Sequence, residues 1–71
     1  MDRQQFEQLG DELREIGHKR RKLAEQVFQE VQEGDGHASK ELYQELSHVS
    51  EQAIDIIMKQ KQIFDEQVQS L

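Results

Sequence analysis

Apolar side chains recur along the chain at alternating steps of three and four residues, the spacing that gives an α-helix one apolar face. In the first half, Phe6, Leu9, Leu13, Ile16, Leu23 and Val27 keep this spacing, with Arg20 filling the one gap in the series. In the second half, Leu42, Leu46, Val49, Ala53, Ile56 and Ile63 continue it, and Gln60 and Gln67 take later places in the same seam. Between the halves lies Gly34-Asp35-Gly36, the one cluster of turn residues. The pattern predicts a helix over about 3–33, a turn over 34–37 and a helix over about 38–70, forming one domain across 1–71. Gly34 suits the left-handed position that ends a helix. Ser39 is the expected N-cap of the second helix, with Asp35 as the competing choice. A short connection forces the arms antiparallel, so residues whose numbers add to about 70 should lie level. The expected fold class is all-α, an antiparallel two-helix hairpin. Phe28 and Tyr43 should then meet near its tip.

Each helix carries a second pattern beside the seam. On the first, Gly10, Gly17, Ala24 and Val31 recur every seven residues, and three of the four are small. Glycine costs about 1 kcal/mol relative to alanine within a helix, so two in register suggest a stripe kept clear for the close approach of another helix. On the second, Ile54, Ile57, Phe64, Val68 and Leu71 form a bulky stripe broken by Lys61. A single hairpin covers one seam and leaves the other bare, and an exposed apolar stripe of this length marks an interface. The expectation is a homodimer packed as a four-helix bundle. Polar residues within the seam, Arg20 above all, would fix register, with Glu51 or Asp55 as partners for the arginine.

Composition strengthens the need for association. The chain has 71 residues, of which 34% are hydrophobic and 34% charged, with no cysteine and no proline. It therefore has no disulfide or thiolate metal site to compensate for a thin core. Its longest apolar run, Ile56-Ile57-Met58, falls far short of the roughly 20 residues of a membrane span. The start of the chain, Met1-Asp2-Arg3, has no apolar secretion signal, which points to a cytoplasmic address without membrane attachment.

The net charge is −6, which opposes contact with polyanions. One basic band interrupts the acidic chain: His18, Lys19, Arg20, Arg21 and Lys22. Such a band is a candidate phosphate contact, and a dimeric nucleic-acid-binding hairpin is the second functional reading. The band wraps more than one helical turn, has no aromatic residue interleaved and has intrahelical partners in Glu15 and Glu25. Steering a second copy toward the acidic remainder is the preferred role.

Two Glu-x-x-His pairs, Glu15 with His18 and Glu45 with His48, match the spacing that holds di-metal sites in four-helix bundles, which gives a third reading. Their phase is wrong for it. Ile16 and Leu46 face the seam, so the pairs flank it or face solvent, and no metal or other cofactor is expected. His37 reads as a solvated turn residue. The four serines fall at cap or surface positions, and Ser47 and His48 diverge by about 100° as helical neighbours, so no catalytic constellation forms. The first reading is therefore a non-catalytic interaction module: a small acidic dimeric regulator, inhibitor or chaperone-like adaptor for a larger protein. Its association residues would be Ile54, Ile57, Phe64, Val68 and Leu71 with Gly10, Gly17 and Ala24.

Overall fold

The computed structural model describes residues 3–69 and 71. Two α-helices, α1 (Arg3–Gln32) and α2 (Gly36–Gln69), pack along one another as an all-α hairpin. The expected end of the second helix near Ser70 lies outside the described residues. A rise of about 1.5 Å per residue makes the longer arm roughly 51 Å, which accounts for the 55 × 16 × 12 Å extents.

The turn is three residues long because one motif ends α1 and begins α2. Gly34 has φ +80°, the left-handed conformation predicted for it. The Gly34 amide donates to the Val31 carbonyl at 3.1 Å and the Asp35 amide to the Glu30 carbonyl at 2.9 Å. These are the two bonds of a Schellman ending. Asp35 then caps α2: its Oδ1 accepts from the Ala38 amide at 3.0 Å, and its carbonyl accepts from the Ser39 amide. Ser39 is therefore not the cap. It sits a full turn inside the helix, where its hydroxyl donates to the Gly36 carbonyl at 3.0 Å. His37 is likewise not a turn residue; it lies in the first turn of α2, with Nε2 3.2 Å from Glu41 Oε1.

The seam is the core. Among the described residues the buried ones are Leu9, Leu23, Val49, Ala53 and Ile56, all at seam positions, with Val49 only 2% exposed. Phe6, Leu13, Ile16, Val27, Leu42, Leu46 and Ile63 are half-buried, as one layer of contact between two cylinders dictates. The level rule holds. Arg20 Nε donates to Ser50 Oγ at 3.0 Å, and Gln60 Nε2 reaches the Phe6 carbonyl at 3.4 Å.

Arg20 does not enter the seam. It is exposed, and its partner is Ser50 rather than Glu51 or Asp55. Its long stem lets the guanidinium reach water while crossing the helix boundary, so no charge is buried. Ser50, half-buried, donates its own hydroxyl hydrogen bond to the Leu46 carbonyl at 2.8 Å. Gln60 does lie in the seam, half-buried. Phe28 and Tyr43 do not form a buried pair, since both are exposed.

Candidate protein-interaction face

The two sides of the hairpin differ in kind. Because the helices run antiparallel, the residues just before the seam positions of both helices fall on one broad side, and the residues just after fall on the other. The first side is polar throughout. On α1 it runs through Gln5, Gln8, Glu12, Glu15, Lys19 and Lys22, and on α2 from Glu41 to Glu66 its positions are likewise all polar. The shared open groove along this side is lined by Glu12, Glu15, Gln52, Asp55 and Lys59 over the seam residues Ile16 and Ile56, which places both helices' polar residues on the same side of the seam.

The opposite side is apolar over half its length. Ile54, Ile57, Phe64 and Val68 are 54%, 51%, 56% and 48% exposed, and Leu71 is fully exposed. The four within α2 each stand one residue beyond the seam series, turned about 100° from it. Tyr43, Ser47 and Ser50 extend the same stripe toward the turn, so the exposed tyrosine belongs to this face. Its place becomes visible only once the seam register is known. About 100° between two seams on one helix is the angle required of a helix with two neighbours in a four-helix bundle.

On α1 the same side carries Gly10, Gly17 and Ala24, followed by the exposed Phe28 and Val31. A Cβ at Gly17 would meet nothing within 4 Å, and one at Gly10 would stand 3.6 Å from Gln60 Nε2, an ordinary contact. The packing of the hairpin requires neither glycine. The small stripe lies level with the bulky one: Gly17 beside Ile54, and Gly10 beside Lys61. The face is therefore a bulky ridge on α2 alongside a stripe on α1 in which the small residues alternate with the exposed Arg14 and Arg21.

The basic band is divided. His18, Lys19, Arg21 and Lys22 line one shallow outward groove together with Glu15 and Glu25, whereas Arg20 crosses to Ser50. Arg21 pairs with Glu25 at 3.5 Å, whereas Glu15 and Lys19 do not close their pair. No one flat ligand meets the whole band.

The Glu-x-x-His residues Glu15, His18, Glu45 and His48 are all exposed. The two glutamates sit about ten residue levels apart, roughly 15 Å along the hairpin, so the pairs do not converge as a di-metal site needs. Among the described residues no group of three or more metal-ligating side chains comes together. Among the same residues, no helix is long and apolar enough to cross a membrane.

Comparison with known protein families, curated proteins and solved structures finds no match to this chain.

Proposed function

We propose that this chain is a non-catalytic protein-interaction module, a small acidic hairpin that acts by pairing its apolar face with another helical surface. Paired with a second hairpin it makes a four-helix bundle whose outward sides are polar and acidic. Those sides are what a larger protein meets, in the manner of a dimeric regulator, inhibitor or chaperone-like adaptor. The observation that carries the reading is the contrast between the two sides: one without an apolar residue along most of its length, the other with four large aliphatic and aromatic side chains in register and half exposed. Chance scatter of surface apolar residues does not sort them onto one side.

The test is native mass spectrometry of the tagged chain recovered from the cells that make it. The wild-type chain is expected within a larger assembly, and the variant carrying Ile57→Asp and Phe64→Asp as the lone chain. Wild-type protein recovered alone would overturn the reading.

A further inference from the structure

Resting on that reading, we infer that the occupant of the apolar face is a second copy of this chain, docked about a two-fold axis parallel to the helices, so that both Gly34 turns lie at one end of the bundle.

Three observations lead there. The first is area. A face of 55 by 16 Å offers on the order of 900 Å² per copy, close to the ~800 Å² per partner of a stable interface. The accessible surface of 5847 Å² also exceeds the ~4600 Å² of a compact monomer of 8.4 kDa. Covering about 900 Å² of each copy would remove most of the roughly 1250 Å² excess.

The second is shape. Two hairpins stacked face to face have two symmetric choices. With the axis perpendicular to the helices, α1 lies on α1 and α2 on α2. Glycine then meets glycine or alanine in one contact while isoleucine and phenylalanine crowd the other. Small interfaces bring helices to about 8 Å and bulky ones hold them near 10 Å, so one stacking distance cannot serve both. With the axis parallel to the helices, α2 of each copy lies on α1 of the other. Both contacts then set the bulky stripe against the stripe that holds Gly10, Gly17 and Ala24, and symmetry makes their spacings equal. Ile54 falls at Gly17 of the second copy, and Tyr43 at Phe28.

The third is charge. The perpendicular axis brings Arg14 opposite Arg21 of the second copy, and Arg21 opposite Arg14, which places four guanidiniums about the centre of the interface. Like charges set across an interface disfavour it. The parallel axis breaks up this central cluster: Arg21, paired with Glu25, comes level with Ser50 and the Arg20 bonded to it, and Arg14 lays its stem beside Ile57 with its head in water. Lys61, the one break in the apolar stripe, comes to the level of Gly10 and within a turn of Glu7. The lysine gains room beside Gly10 and comes near the Glu7 carboxylate, which Arg3 holds at 2.8 Å, while its own-helix partner Asp65, at 2.7 Å, remains in place.

The chain has no cysteine, so Gln32→Cys gives a single outward-facing label site beside the turn. Pulsed dipolar spectroscopy of the spin-labelled purified protein should give a label separation below about 35 Å, the width of a four-helix bundle with its labels. A separation of about 45 Å or more, the spacing of opposite ends, overturns the arrangement and leaves the association reading intact. A monomeric mass by sedimentation at 100-micromolar concentration overturns the second copy altogether. Gly17→Leu is the companion variant. Its side chain enters open space in the hairpin but crowds Ile54 of the second copy, so the dimer dissociation constant should rise at least tenfold with the helical signal kept. An unchanged constant counts against the docking.

Discussion

Asp35 shows how much one side chain does in a three-residue turn. Its amide completes the ending of α1, and its carboxylate and carbonyl begin α2. Replacing it with alanine removes the bond to the Ala38 amide but keeps the backbone bonds, and the expected cost is about 1 kcal/mol of unfolding free energy in a urea titration. Ser39→Ala should cost much less, because the serine hydroxyl only returns a bond to a carbonyl within its own helix. Equal losses for the two would contradict the assignment of the cap. The choice between them was open in the sequence because both residue types cap helices. The bonds decided it: the Asp35 carboxylate accepts from the Ala38 amide, whereas the Ser39 hydroxyl donates back to the Gly36 carbonyl.

At the scale of the element, α2 carries two seams that differ by one residue in number. Ile56 is buried against α1, whereas its neighbour Ile57 is half exposed on the other face. In a hairpin standing alone, Ile56→Ala should cost about 2 kcal/mol or more and Ile57→Ala under about 0.5 kcal/mol. If the second face is covered, the Ile57 substitution costs nearly as much as the Ile56 one, and its effect vanishes on dilution. Denaturant midpoints of both variants across a hundredfold range of concentration distinguish the two cases. On α1, period placed Leu9 and Leu23 in the core correctly, but Arg20 held a seam position and left it. Helical phase fixes the direction of a Cβ, not where a long flexible side chain ends, and the hydroxyl of Ser50 on the facing helix drew the guanidinium to the surface.

The whole molecule is elongated, with a radius of gyration of 16.4 Å where a compact chain of this length has about 11 Å. Such a shape exposes surface that a compact fold would bury, so its stability should depend on self-association. The thermal midpoint should rise with protein concentration, as it must when the folded form is an oligomer. A midpoint constant from 2 to 200 micromolar would show the hairpin to be self-sufficient. The rise should be lost in the Ile57→Asp, Phe64→Asp variant.

The sequence by itself determined the two helices, their turn and the seam between them, because these follow from the period of apolar residues and from one glycine whose conformation other residues rarely adopt. It also marked the small stripe and the bulky stripe as features beyond the hairpin. Only the tertiary structure decided that both stripes share one side, that the other side is polar along nearly its whole length, and that Tyr43 extends the bulky stripe while Phe28 and Val31 extend the small one. The physical reason is that a linear pattern gives each helix its own phase, but two phases acquire a common direction only when packing fixes the helices antiparallel and in register.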